Sequence, residues 1–263
     1  MSFSKSVSSR RYDIDWLRVL AILAVFIFHS GRFFDQGGWH VKNPTTYLEV
    51  QVWTTFLANW LMPLIFAISG ASLFYALNSH GTGKFIKNKV LRLLVPLIVG
   101  VFTHAMLQVY LERITHHQFY GSFWQFIPHY FEGLYGFGGN FAWMGLHLWY
   151  LLVLFVFTLF CYSLIRWLKD GSGQVILKQL GNFLALPGAF FILAVPVAWL
   201  MATLKPAGLL GMHDFGGWPL PIYLLFLLYG FIVISHEGVQ IQIQQMRWVS
   251  LAAGVICILS LLV

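Results

Sequence analysis

Apolar residues in this chain come in long unbroken runs, not in the narrow stripes of a water-facing fold. An α-helix needs roughly 20 mostly apolar residues to cross the hydrocarbon core of a bilayer. Such runs fall at 16–34, 54–77, 91–111, 143–165, 183–203, 218–236 and 248–263. The pattern predicts an all-α, polytopic integral membrane helix bundle of about seven spans. The first run follows Arg10, Arg11 and Arg18 as a signal peptide would. It then continues into His29-Ser30-Gly31-Arg32 with no small-residue cleavage site, so it reads as an uncleaved helix. The last run stops on Leu-Leu-Val with no polar anchor, so the chain reads as C-terminally truncated, with further spans missing.

The charges agree with that segmentation. With the N-terminus in the cytoplasm, the inner segments hold Lys5, Arg10, Arg11, Arg18, Lys84, Lys87, Lys89, Arg92, Arg166, Lys169, Lys178 and Arg247. Only Arg32, Lys42, Arg113 and Lys205 fall outside, out of 16 basic residues in all. Positive charge gathers on the cytoplasmic side of membrane proteins, so the partition supports both the spans and their orientation.

Composition narrows the class further. Hydrophobic residues make up 59% of the 263 positions and charged residues 10%, and the mean hydropathy is +0.74. So few charges cannot keep a water-facing surface soluble. A soluble enzyme, a disordered chain and a nucleic-acid binder are excluded despite the net charge of +7. Cys161 and Cys257 each lie in an apolar run with no C-x-x-C pair. They read as small packing residues of lipid-facing helices. The outer segment 112–142 is rich in aromatics and carries His116, His117 and His129. It predicts an interfacial or re-entrant helix followed by a turn at Gly136, Gly138 and Gly139. These histidines lack a Cys or acidic partner at ligand spacing, so no metal site is predicted.

Ionisable groups inside spans each cost about 2.5–3.5 kcal/mol at mid-helix and therefore call for a reason. Arg18 and His29 stand eleven residues apart in the first run. That is about three turns and about 16 Å of helix, with both residues on one face. Asp15 lies within ion-pair reach of Arg18. Each residue has a bland reading, Arg18 as a snorkelling anchor and His29 as a core histidine. The pair is more telling, because an imidazole facing a hydrated cavity can act as a general base. In the second run Pro63 predicts a kink, and Ser69-Gly70 allows close helix approach. The stretch Lys84 to Arg92 forms an inner basic patch, suited to anionic lipid heads or to the phosphates of a cytosolic donor. Gly81-Thr82-Gly83-Lys84 lacks the phosphate-loop spacing. His147 opens the fourth run beside Trp149 and Tyr150, which suit an interfacial belt. His80, His104, His213 and His236 read as structural.

These residues together resemble the membrane-bound acyltransferase family 3. The likeness is carried by Arg18-x10-His29, Ser69-Gly70, the basic stretch into Arg92-Leu93-Leu94-Val95-Pro96, and His147-Leu148-Trp149-Tyr150-Leu151. Asp15-Trp16-Leu17-Arg18 and Trp39-His40-Val41 are similar to the glucan-biosynthesis protein C group of that family. Residues 1–263 would then be a single transmembrane acyltransferase domain of the bacterial inner membrane. The resemblance implies transfer of an acyl group, acetyl or succinyl, from cytosolic acyl-coenzyme A to a hydroxyl of an envelope carbohydrate such as a periplasmic glucan. It implies His29 and Arg18 as catalytic residues, Arg92, Lys89 and Ser69 at the donor, and His147 and Trp149 at the acceptor. Acyl-coenzyme A is a co-substrate; no bound cofactor and no nucleic-acid partner is expected. Leu151 to Phe155 are apolar where many relatives carry an acidic residue. A sugar transporter or flippase would also use an intramembrane histidine and broken helices. It would leave acyl-coenzyme A unconsumed.

Overall fold

The computed structural model describes residues 11–77, 81–204 and 216–261, and regular structure among them is helical. Lys5, Arg10, His80, Lys205 and His213 lie outside the described residues, as does the end of the last run. Helix α1 is Tyr12–Gly31, α2 Leu48–Ala58, α3 Leu61–Ala76 and α4 Thr82–Thr115. Then come α5 Phe123–Tyr130, α6 Trp149–Phe160, α7 Tyr162–Asp170 and α8 Gln174–Leu184. The last four are α9 Ala194–Thr203, α10 Leu220–Ser235, α11 Glu237–Gln245 and α12 Arg247–Leu261.

Among the described residues, three helical stretches are long and apolar enough to cross a membrane: α1, α2 with α3, and α4. The number rises to six if each of three bent pairs is one span. The seven apolar runs therefore do not map onto seven straight helices. Helices α6 and α7 meet at 52°, and α10 and α11 at 102°. The run 183–203 is broken most severely: α8 turns by 117° into the short 3-10 turn Ala189–Leu193 and α9. Pro187 and Gly188 explain the corner, since proline ends the helix and Gly188 adopts φ +76°.

Pro63 does not kink its helix. The break lies at Asn59 and Trp60, which puts Pro63 in the first turn of α3, where its missing N–H would have had no partner. The basic patch Lys84 to Lys89 belongs to the first turns of α4, not to a loop. Helix α4 contains two wide turns, Val90–Leu94 and Val101–Ala105. The first precedes Pro96, whose ring crowds the carbonyl four residues back, and a wider turn relieves that crowding. At the second, the Val101 carbonyl accepts a hydrogen bond from the Tyr130 hydroxyl at 2.8 Å.

Helices α3 and α10 form the tightest pair in the bundle. A Cβ on Gly70 would stand 1.8 Å from the Leu227 carbonyl oxygen, and one on Gly230 would stand 1.8 Å from that of Ala67. Each glycine lets the other backbone in, as small residues do where bilayer helices cross. Around this contact Phe66, Leu73, Leu97, Trp149, Tyr223 and Phe231 form the main core. Cys161 is buried in that core at the α6–α7 bend rather than facing lipid, whereas Cys257 is exposed. Helix α1 buries only Ala21 among its residues, and Trp16, Leu20 and Phe26 are exposed on its outer face. Such apolar exposure suits hydrocarbon, not water. The helix expected within 112–142 is α5, which packs Phe126 and Tyr130 on Met106 and Val109 of α4. The glycine turn follows, with Gly136 at φ +90° and Gly138 at φ +87°.

Candidate functional site: a histidine-lined cavity

A cavity of about 1360 Å³ opens between α1, α3, the C-terminal end of α4 and the loops beyond them. Arg18, His29, Ser69, His147 and Trp149 all line it. Five residues singled out from separate parts of the chain thus converge on one space.

At one end, α1 presents Arg18, whose guanidinium pairs with Asp15 at 3.1 Å and donates to the Ser72 hydroxyl at 2.6 Å. Ser72, not Ser69, receives that bond. Ser69 donates its hydroxyl proton to the Ile65 carbonyl of its own helix at 2.8 Å, which leaves its oxygen lone pairs toward the cavity.

Three turns further on, His29 points into the other end. Its Nδ1 lies 2.8 Å from the Val25 carbonyl. A carbonyl only accepts, so Nδ1 carries the proton and Nε2 keeps a free lone pair. The His147 ring meets it edge to face, centroids 4.5 Å apart. His147 is delivered by a left-handed turn, with Gly145 at φ +77° and Leu146 at φ +50°. A leucine in that region is strained, and such strain concentrates at functional sites. The Gln108 carboxamide fixes His147 through Nε2.

The loop between α1 and α2 closes this end. Trp39 stacks on His147 at 5.0 Å, its ring also lies 4.7 Å from the Arg32 guanidinium, and His40 follows it. Fully buried Asp35 anchors the loop. It pairs with Arg32 and with Lys42 (2.6 Å), and accepts from the Thr54 hydroxyl at 2.9 Å and the Gly37 N–H at 3.1 Å. Burial alone would raise the Asp35 pKa. The bonds from Lys42 and Thr54 and the Arg32 charge outweigh it and hold the carboxyl below its ordinary value. From α4, Glu112 reaches His40 Nδ1 at 2.6 Å, and the Tyr135 hydroxyl donates to the same carboxylate oxygen at 2.8 Å. Arg113 ties down the glycine loop through Asn140 (2.8 Å) and the Gly139 carbonyl (3.0 Å).

Three expected site residues stand apart from open cavity surface. Trp149 is mostly buried, its ring covered by Phe66 (6.2 Å) and Tyr223 (5.3 Å), so it is a core residue at the cavity wall. Arg92 is exposed on α4 and does not line the cavity. Lys89 does not line it either, its ammonium lying 5.5 Å from the Phe85 ring centroid. Lys89 is nonetheless close enough to Arg92 and to Arg18 of α1 for their charges to interact. His116 touches the cavity rim, while His236 bonds Asn182 at 3.0 Å far from it. Among the described residues, no three His, Cys, Asp or Glu side chains are placed to share a metal ion. Sequence reasoning missed Glu112, Gln108 and Ser72, and met Tyr135 only as one of the aromatics of the segment 112–142. Glu112 carried a signal, as an acid at the end of an apolar run.

The family model described as an acyltransferase domain, that of acyltransferase family 3, matches residues 11–263. Glucans biosynthesis protein C of Escherichia coli strain K12 is 23% identical over 164 residues, which are 62% of this chain and 41% of that protein. The protein of the same name from Escherichia coli O139:H28 is 23% identical over 240 residues, 88% of this chain and 60% of the relative. The chain thus spans about half the length of these curated relatives. No solved structure matches. With the family match covering nearly the whole chain, over the residues that build the cavity, this chain belongs to the acyltransferase 3 family.

Proposed function

We propose that the protein is an O-acyltransferase of the bacterial inner membrane, with its N-terminus in the cytoplasm. It moves an acetyl or succinyl group from cytosolic acyl-coenzyme A to a hydroxyl of an envelope carbohydrate. The observation that carries this reading is that Arg18 and His29 line the two ends of one cavity, about 16 Å apart along one helix. Arg18 lies nearer the N-terminal, cytoplasmic end, where the donor is available, and a guanidinium suits its phosphates or its thioester oxygen. His29 lies across the bilayer, beside the aromatic outer loops that suit a sugar. Both similar proteins are named for glucan biosynthesis, which favours a glucan as the acceptor.

In the proposed step the acceptor hydroxyl oxygen attacks the thioester carbonyl carbon. His29 Nε2 takes the hydroxyl proton as the new C–O bond forms. The C–S bond breaks, and the coenzyme A sulfur leaves as thiolate, which then recovers the proton from His29. His147 and Trp39 shape the outer end around this exchange. Ser69 and the basic turns with Lys89 and Arg92 serve the donor side, Arg92 and Lys89 as long-range attraction for its phosphates.

Membrane vesicles carrying the protein, given radiolabelled acetyl- or succinyl-coenzyme A on the cytoplasmic side, test the proposal. Label is expected in outer-face carbohydrate, and is lost in His29→Ala at equal protein level. Full labelling in His29→Ala would remove its role. Intact donor with no labelled product would turn the reading toward transport.

A further inference from the structure

Glu112 has no part in the step as written, yet it is a buried carboxylate in a membrane bundle, where such a group needs a reason. Its partners define it. His40 Nδ1 stands at 2.6 Å, the Tyr135 hydroxyl at 2.8 Å and Arg113 Nη1 at 3.5 Å. The tyrosine oxygen also lies 2.9 Å from His40 Nδ1. Glu112 and Tyr135 therefore hold one edge of the His40 ring from two sides. An ionised carboxylate can only accept, so Nδ1 carries the ring proton and Nε2 is left as an acceptor. Second partners of this kind fix tautomer and ring orientation wherever an imidazole must present one nitrogen.

His40 lines the same cavity as His29 and meets the other edge of the His147 assembly, centroids 5.4 Å apart. Its neighbour Trp39 already has its ring engaged by His147 and Arg32. His40 Nε2 is then a side-chain acceptor that this loop offers the cavity. The nearby cations are committed as well, Arg32 to Asp35, and Arg113 to Glu112 and Asn140. That end of the cavity suits a neutral, hydroxyl-rich molecule rather than an anion.

We infer that His40 is an acceptor-binding residue whose Nε2 accepts a hydrogen bond from a second hydroxyl of the sugar being acylated, with Glu112 and Tyr135 as positioning residues. The inference rests on the acyl-transfer reading and adds the chemical class of the acceptor, a neutral sugar unit gripped at two hydroxyls. No group is transferred to His40; the proton exchange stays with His29.

Right-side-out vesicles loaded with labelled acetyl- or succinyl-coenzyme A, with neutral β-glucan oligosaccharides outside, provide the test. Losing one such bond is expected to raise the acceptor KM about tenfold in His40→Ala. The donor KM stays unchanged and kcat holds within about threefold. Glu112→Gln gives the same signature. His40→Gln, which restores a side-chain acceptor, recovers part of the loss. An unchanged acceptor KM in His40→Ala overturns the inference, and so does a fall in kcat at constant KM. If His40→Ala does not fold, judged by melting in detergent, His40→Gln and Glu112→Gln decide by the same criteria. Absence of transfer by the unsubstituted protein overturns the enzymatic reading itself. Normal transfer with identical KM in all variants overturns only the role of His40.

Discussion

His29 and His147 stand edge to face with ring centroids 4.5 Å apart, one near the end of the first helix and the other on a strained turn before the sixth. Neither residue is near the other in sequence. Their meeting joins the two halves of the chain at one end of the cavity.

That contact ranks the two imidazoles. His29 has its Nε2 lone pair open, whereas His147 Nε2 is engaged by Gln108. His29→Ala is expected to lower kcat for acyl transfer by about 10²–10⁴, the usual worth of a general base. His147→Ala should lower it by about tenfold, through looser placement of His29 and Trp39. Single-turnover rates in vesicles measure both; equal losses would mean the two rings share the proton.

Arg18 and Arg92, both proposed for the donor side, differ in where they stand. Arg18 lines the cavity and Arg92 is exposed on α4. A charged hydrogen bond is worth about 1.5–3 kcal/mol, so Arg18→Gln should raise the donor KM roughly 10- to 100-fold. Arg92→Gln should change it by about threefold or less at physiological salt, and that change should shrink as salt is raised. Initial rates against donor concentration at two ionic strengths decide the matter.

Asp35 makes the loop between α1 and α2 acid-sensitive. Its folded pKa lies below the ordinary value of 3.8. The stability it contributes is therefore fully present above that value and is lost as pH falls through the lower, folded one. Removing the carboxylate strands Arg32 and Lys42, so Asp35→Asn should cost about 3–5 kcal/mol near neutral pH. Melting temperature in detergent should be lower for the variant at pH 7, and the gap to the unsubstituted protein should narrow under strong acid. A constant gap would mean the charge is not what Asp35 contributes.

Gly70 sets the distance between α3 and α10. Any side chain there meets the Leu227 carbonyl, so Gly70→Ala is expected to destabilise the bundle by about 1–3 kcal/mol. Because Ser69 is its neighbour on the cavity wall, the donor KM should rise as well. Thermal melting together with donor titration checks this; a stable variant with unaltered kinetics would show that the two helices can separate at no cost.

The sequence by itself determined the class and put two candidate residues, Arg18 and His29, on one helix face. Uninterrupted apolar runs have no stable home but a bilayer, and an arginine and a histidine three turns apart on one helix must share a face. Those are consequences of local geometry and solvent, and they were legible at Arg18 and His29. The short helix Phe123–Tyr130 and the glycine turn after it were legible for the same reason. Which runs would bend was not, because Pro63 falls harmlessly in a first turn while Pro187-Gly188 makes a corner, and the difference depends on where the helix starts. The fate of Trp149, drawn into the core, and of Arg92, left outside, was decided by how α4 and α6 rotate against their neighbours. The Glu112–His40–Tyr135 cluster came only with the tertiary structure. Its three members lie on separate helices and loops, and nothing in local spacing encodes a contact that packing alone creates.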